Sequence, residues 1–228
     1  MSIFRFAVFL FGAVTVAWTA AFLVDYLHSE PPAPEFLYPR VGQVIHSGAE
    51  GFTSRIIKTD RNNAWLELTL APHAPGPPPH VHTTFAEDFI VARGVLSLRV
   101  GTEIKQLHPG EHFLVPPGVI HQPFNATDEE VVVRGPLTPE YALPRDFVLF
   151  LCQVYGFIDE SPAHARPPAI LLQASIFSPR YDSWLGHSPI GVQRIEFALL
   201  RPIARLLGYR SYYPRFLARD AAPSPGSQ

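Results

Sequence analysis

Residues 76–94 contain the stretch that decides the fold, Gly76-Pro-Pro-Pro-His80-Val-His82-Thr-Thr-Phe-Ala-Glu87-Asp-Phe-Ile-Val-Ala-Arg-Gly94. Side chains in a strand alternate between two faces, so His80 and His82 project to the same side. Glu87 follows a short turn-like run and opens a second strand, in which Asp88 points to the opposite face. The stretch therefore predicts two strands that present His80, His82 and Glu87 as candidate metal ligands.

A second stretch, Gly110-Glu-His-Phe-Leu-Val-Pro116-Pro-Gly118-Val-Ile-His121-Gln-Pro-Phe-Asn125, adds another imidazole. His121 follows the turn Pro116-Pro-Gly118, which can direct it back toward the other candidate ligands. Imidazoles combined with a carboxylate form the mixed nitrogen and oxygen set that divalent transition metals accept. We expect one metal site with these four ligands: His80, His82, Glu87 and His121.

The two stretches resemble the two motifs of the cupin superfamily, G-x5-H-x-H-x4-E-x6-G and G-x5-P-x-G-x2-H-x3-N, and both match without a gap. The resemblance covers roughly residues 36–136 and implies a jelly-roll β-barrel. It also implies that the metal ligands of the family fall on the four residues named above. The bound ion would be one divalent transition metal (iron, manganese, nickel, copper or zinc), and the sequence does not select among them.

Short runs of β-branched and aromatic residues surround the two motifs, with turn-forming residues between them. Many short strands with regular turns are typical of a sandwich or barrel, and the motifs favour the jelly roll. We therefore predict a mainly β fold, a cupin jelly-roll barrel with an N-terminal apolar helix and a C-terminal helical appendage.

The N-terminal segment carries a second strong signal, because residues 6–24 include no charged side chain. As a helix this run would be about 28 Å long, close to the roughly 30 Å hydrocarbon core of a bilayer. We expect a transmembrane anchor over residues 1–28, with a cleaved signal peptide or a buried soluble helix as alternatives. Arg5 precedes the run, so we expect a membrane-anchored protein with its barrel on the extracytoplasmic side.

Composition divides the rest of the chain into four regions. We expect a Pro-rich spacer at 29–40, the barrel at 41–136, a helical extension at 137–220 and a disordered tail at 221–228.

The helical extension has two interpretations. It either packs on the barrel or at a dimer interface, or it lies at a lipid surface through the arginines between Arg194 and Arg219. Within its last helix we expect Ser188 to cap the start, Pro202 to kink or break the helix, and Gly208 to end it.

Charge and cysteine content exclude other classes of protein. The net charge is −2, and no basic run interleaved with aromatics marks the barrel, so we expect no nucleic-acid partner. Cys152 is the single cysteine, which excludes an internal disulfide, and its apolar neighbours predict a buried thiol. A homodimer formed through barrel edges is expected.

The leading functional hypothesis is a metal-dependent oxidoreductase of the dioxygenase type acting on a small organic molecule, with Glu87 also shuttling a proton. The alternatives are a membrane-tethered ligand- or metal-binding sensor without turnover, and a metal-dependent isomerase or lyase. The expected pocket wall is apolar and consists of Phe89, Val91, Phe113 and Phe124. Three histidines that lie near the motifs in sequence but off their pattern are expected at the surface or rim: His73, His108 and His112.

Overall fold

The computed structural model describes residues 3–27 and 30–220, so the predicted tail over residues 221–228 lies outside the described residues. The helices of the described chain are α1 (Ile3–Leu27), α2 (Arg145–Glu160), α3 (Ala169–Tyr181) and α4 (Ile190–Leu206), with short 3-10 helices at Glu35–Leu37 and Pro139–Tyr141.

Antiparallel strands form two sheets. The strands are β1 (Gln43–Ser47), β2 (Phe52–Thr59), β3 (Asn63–Leu70), β4 (His80–Val81), β5 (Glu87–Arg93), β6 (Leu96–Val100), β7 (Glu103–Leu107), β8 (His112–Val115), β9 (His121–Phe124), β10 (Val131–Arg134), β11 (Leu143–Pro144), β12 (Trp184–Leu185) and β13 (Arg219–Asp220). The larger sheet has the order β13-β1-β2-β3-β10-β5-β8, with β11 also paired to β3, and the smaller sheet has the order β12-β4-β9-β6-β7. The prediction of a mainly β fold is confirmed.

The core lies between the two sheets. Leu96 and Leu98 of the smaller sheet are fully buried, and they belong to the same apolar cluster as Leu70, Val91 and Val115 of the larger sheet. Each of these side chains stabilises the fold by about 1.5–3 kcal/mol through its burial. The period-two spacing in β6 and β5 selects which residues face this core.

Two loop residues hold the strands at the site in place. Gly94 has φ +76°, and a Cβ atom there would lie 2.6 Å from the Glu130 carbonyl oxygen, so the turn after β5 requires glycine. Asn125 is buried, and its amide donates hydrogen bonds to the carbonyls of Ala71 at 2.8 Å and Glu129 at 2.7 Å. Asn125 therefore braces the end of β9.

The C-terminal extension is integrated with the barrel. The α2 helix buries a continuous set of side chains against it, including Phe147 and Phe150, and β11, β12 and β13 each pair with a barrel strand. Cys152 lies in this buried helix, and burial raises the pKa of its thiol to about 12. The prediction of a helical appendage is confirmed.

Two details of α4 differ from the predictions. Pro202 does not break the helix, which continues to Leu206, because Phe197, Pro202 and Ala204 are all buried and tertiary packing compensates for the missing backbone donor. Among the residues described, no side chain caps its start, and the Ser188 carbonyl instead accepts a hydrogen bond from Gln193 Nε2 at 2.7 Å.

Helix α1 packs through its last turns against α4. The Asp25 carboxylate has a side chain only 2% exposed, and it pairs with Arg201 Nε at 2.7 Å and with Arg205. Trp18 Nε1 donates to the Leu199 carbonyl at 3.4 Å. Arg201 and Arg205 therefore pair within the protein, which does not support the lipid-surface interpretation of these two arginines.

Counting only the residues that the structure describes, no helix is long and apolar enough to cross a membrane. The predicted transmembrane anchor over residues 1–28 is therefore not supported.

Residues 30–40 pack against the fold. Leu37 is fully buried in the main core, Arg145 pairs with Glu35, and the Tyr38 hydroxyl donates to Asp146 Oδ1 at 2.6 Å. This segment therefore contacts the start of α2.

Candidate metal centre

Four side chains, the candidate ligands of the sequence analysis, converge between the two sheets. One ligand atom from each of His80, His82, Glu87 and His121 lies within 4.8 Å of the others. The Glu87 Oε2 atom is 2.7 Å from His121 Nε2, 3.6 Å from His82 Nε2 and 3.8 Å from His80 Nε2. The structure thus brings together all four predicted residues.

Strand register explains the convergence. His80 on β4 is paired directly with His121 on β9, and Glu87 opens β5 in the other sheet. Val81 is buried in a separate cluster with Trp184, on the face opposite to the histidines, as the alternation of the strand requires. Two histidines therefore enter the site from neighbouring strands, and the carboxylate enters from across the barrel.

Backbone carbonyls fix the tautomer of every histidine in the cluster. The Nδ1 atoms lie 3.0, 2.7 and 3.0 Å from the carbonyl oxygens of Pro78, Asp182 and Val119, for His80, His82 and His121 respectively. A carbonyl oxygen only accepts, so each Nδ1 carries the proton that it donates. In the neutral rings the lone pair is then on Nε2, which in all three faces Glu87.

This arrangement fits a metal ion. An Nδ1–H bound to a backbone carbonyl is the orienting contact that metal-bound histidines make. The His82 Nε2 atom is buried and has no hydrogen-bond partner in the described part of the chain. The four ligand atoms lie within 4.8 Å of one another, which is close enough for all of them to face one ion.

Burial and mutual hydrogen bonding set the charges in the cluster. Burial alone raises the pKa of Glu87, but interactions with the three histidines, of which His121 is the nearest, outweigh it and hold that pKa well below its usual range. Burial lowers the pKa of His80. The pKa of His121 is raised, because its hydrogen bond to Glu87 outweighs the effect of burial. Glu87 is therefore the anionic centre of the cluster.

Asp182, which follows α3, positions this cluster from the helical extension. Its carbonyl accepts the His82 Nδ1–H, and its carboxylate accepts the backbone N–H and hydroxyl groups of Thr83 and Thr84, each at 2.7 Å. Trp184 Nε1 also donates to this carboxylate at 2.8 Å. Asp182 has φ +52°, which asparagine and aspartate tolerate better than most residues.

The sequence predicted neither Asp182 nor its role. Thr83 and Thr84 offer four adjacent donors and so indicate that an acceptor lies nearby, but a partner about 100 positions later is set by the tertiary fold alone.

An apolar cavity of about 430 Å³ adjoins the cluster, and both His80 and Glu87 line it. Much of its remaining wall comes from β2, β3, α2 and α3, including Phe52, Leu68 and Phe150. The volume is in the range of small-molecule sites. Among the described lining residues there is no lysine and one arginine, Arg134, whose guanidinium pairs with Glu67 at 3.3 Å.

The expected pocket wall is only partly right. Phe89 lines the cavity, whereas Val91, Phe113 and Phe124 do not. Val91 is packed in the core, and Phe113 lies under the Lys105 amine at 5.1 Å. The walls instead come from strands and helices outside the two motifs, which motif spacing does not indicate.

The three histidines that were expected outside the site lie at the surface. His73 pairs with Asp128 at 2.8 Å and His112 with Asp88 at 3.1 Å, and both imidazoles are exposed, as is His108. Because Asp88 faces His112, Glu87 is the carboxylate that faces the cluster.

Residues 66–137 match the family described as Cupin domain. Over these residues the chain matches a cupin domain, and a helical extension is built onto the barrel that contains them. No curated protein matches the chain.

Solved structures with similar folds share little sequence. An RmlC-like cupin from Shewanella frigidimarina is 19% identical, with 46% of this chain and 95% of that chain covered and a TM-score of 0.36. A sugar phosphate isomerase of the cupin superfamily from Silicibacter pomeroyi is 23% identical, covering 41% and 66%, with a TM-score of 0.34. An oxalate oxidase is 20% identical, covering 46% and 61%, with a TM-score of 0.33. At these values the reactions of those proteins are not transferred to this chain.

The contacts of Asp182 can be tested by mutation. Replacing Asp182 with alanine removes the carboxylate that accepts from Thr83, Thr84 and Trp184. The backbone carbonyl that accepts from His82 remains, but it loses the contacts that hold it in place. We expect roughly 10-fold weaker zinc binding, the lower end of the usual effect of orienting residues, measured by competition with a chelator. Asp128→Ala, which changes an exposed carboxylate, should leave the affinity unchanged. Equal affinities for Asp182→Ala and the unmodified protein would show that Asp182 does not position the ligands.

Proposed function

We propose that this protein is a metal-dependent oxidoreductase of the dioxygenase type that acts on a small, largely apolar organic molecule. The observation that carries the proposal is the position of the cluster: the Nε2 lone pairs of three oriented histidines meet one carboxylate at the wall of an apolar cavity. A metal held by imidazoles and a carboxylate with open positions is the kind of site that supports oxygen chemistry.

The ligand set leaves room for further ligands. His80, His82, Glu87 and His121 offer four donor atoms, and an octahedral ion keeps two positions for other molecules. A redox-active divalent metal bound there would supply the activation of dioxygen beside the substrate. The histidines hold and orient it, and the buried Glu87 carboxylate neutralises part of its charge.

We also propose that Glu87 takes part in proton transfer. Its Oε2 atom lies 2.7 Å from His121 Nε2, and its side chain, which is 11% exposed, lines the cavity. A carboxylate in this position can hold a proton at the boundary between the cluster and a bound substrate. Glu87 therefore combines metal binding with proton transfer.

The cavity favours an apolar substrate over a sugar phosphate. Phosphate recognition uses unpaired arginine or lysine side chains. The cavity offers only Arg134 among the described residues, and Glu67 already pairs with it. The aromatic and leucine walls instead match an organic molecule with few charged groups.

Oxygen uptake tests the proposal directly. Protein loaded in turn with iron, manganese, nickel, copper and zinc is presented with a panel of aromatic compounds in an oxygen-electrode cell. We expect at least one metal and compound to give oxygen consumption and an oxygenated product. His121→Ala should reduce the rate at least 100-fold, because it removes one ligand and the partner of Glu87, whereas His112→Ala, an exposed histidine on β8, should not.

Other outcomes distinguish the alternatives. A product formed without oxygen consumption would favour an isomerase or lyase and would contradict the proposal. Ligand binding with unchanged compound recovered from every metal form would instead favour a binding or sensing protein.

A further inference from the structure

A second carboxyl group, Glu50, lines the same cavity and takes no part in the metal cluster. Glu50 lies in the turn between β1 and β2 and is only 8% exposed. Its backbone N–H donates to Ser47 Oγ at 3.2 Å, and its carbonyl accepts from the Gly76 N–H at 3.2 Å. The backbone is therefore held on both sides, which fixes where the side chain enters the cavity.

Tyr155 of α2 is the partner of this carboxyl group. The Tyr155 side chain is buried, its hydroxyl interacts with the Glu50 carboxyl, and its ring packs edge-on against Phe52 with 4.7 Å between ring centroids. Glu50, Tyr155 and the cluster residue Glu87 all line the same cavity.

One oxygen of Glu50 has no partner. The Oε2 atom is buried and makes no hydrogen bond with any described residue. Buried polar atoms are nearly always hydrogen-bonded, so an exception in a cavity wall indicates that something else fills the position. The surrounding wall is largely apolar, with Phe52, Leu68 and Leu70 among its residues.

We propose that Glu50 and Tyr155 form a binding site for the hydroxyl group of an otherwise apolar ligand, a phenol or an aliphatic alcohol held at Glu50 Oε2. A hydroxyl group both donates and accepts, so it satisfies this oxygen whether the carboxyl is ionised or protonated. A carbonyl would serve only the protonated acid, and an ammonium group would have to leave water for an apolar wall. The identity of this ligand as the substrate rests on the proposed function. Binding of a hydroxyl compound at Glu50 does not require turnover.

The protonation state of Glu50 agrees with such a site. Burial raises the pKa of the carboxyl to about 7, the interaction with Tyr155 lowers it in part, and the negative charge of Asp159 on α2 raises it further. Near neutral pH the Glu50 carboxyl group therefore exchanges between its protonated and ionised forms. A hydroxyl ligand can hydrogen-bond to either form.

Ligand preference tests the site. The probes are 4-propylphenol and its methyl ether, 4-propylanisole, with binding to the full-length chain measured by calorimetry. The two differ by one hydroxyl donor, so we expect the phenol to bind roughly 10- to 100-fold more tightly, the value of a hydrogen bond to a charged group. Glu50→Leu should abolish the preference and Tyr155→Phe should reduce it. Glu140→Leu, which changes an exposed carboxylate that also lines the cavity, should leave it intact.

A third variant separates this inference from the proposed function. His121→Ala should keep the preference for the phenol even though it loses oxygen uptake. Three results would overturn the inference: equal affinity for both probes, a preference that survives in Glu50→Leu, or tighter binding of 3-phenylpropylamine than of the phenol. A chain that shows the preference but consumes no oxygen would overturn only the proposed reaction.

The pH dependence of protein stability tests the environment of Glu50 without any ligand. The pKa of Glu50 rises from its usual 4.5 to about 7 on folding, so folding favours the protonated acid. The stability that this provides is present below about pH 4.5 and is lost as the pH rises through 7. Tyr155 and Asp159 are the ionisable groups that face it, and both stay in the variant. We expect the difference in Tm, Glu50→Gln minus the unmodified protein, to increase as the pH is raised from 5 to 8 and then to level off. A difference that is constant with pH would show that the carboxyl group is not held in an apolar site.

Discussion

The site depends on three hydrogen bonds that do not involve the proposed metal at all. The Nδ1–H groups of His80, His82 and His121 each donate to a backbone carbonyl, and this turns the three Nε2 lone pairs toward Glu87. Backbone carbonyls are held by the sheets and loops around them, so the ring orientations are set before any ligand arrives. Such preorganisation reduces the ordering that binding would otherwise require.

The helical extension completes the site that the barrel begins. The β12 strand pairs with β4, which carries His80, and Asp182 just before it supplies the carbonyl that orients His82. Helix α2 supplies Tyr155 and much of the apolar wall. The ligand cluster belongs to the barrel, whereas the orientation of one ligand and the shape of the cavity come from residues beyond it. Differences in such extensions are one way in which similar barrels can accommodate different ligands.

The sequence predicted the parts of the site that depend on local periodicity. His80 and His82 share a face because strands repeat every two residues, and Glu87 rather than Asp88 faces the cluster for the same reason. Asp182, Glu50 and Tyr155 were not predicted, because their roles come from contacts between distant parts of the chain. Pro202 shows the same limit: a local rule predicted a broken helix, and tertiary packing maintained it. The N-terminal segment was interpreted from hydropathy alone, which did not indicate the pairing of Asp25 with α4.

The most direct test of the account is the position of a bound metal. Crystals of protein supplied with manganese or zinc, measured at the absorption edge of the metal, locate the ion by its anomalous scattering. The account requires one peak among His80, His82, Glu87 and His121, about 2.0–2.3 Å from each Nε2 atom and from a Glu87 oxygen. A peak coordinated through Nδ1, a peak elsewhere in the protein, or no peak at a saturating metal concentration would contradict it.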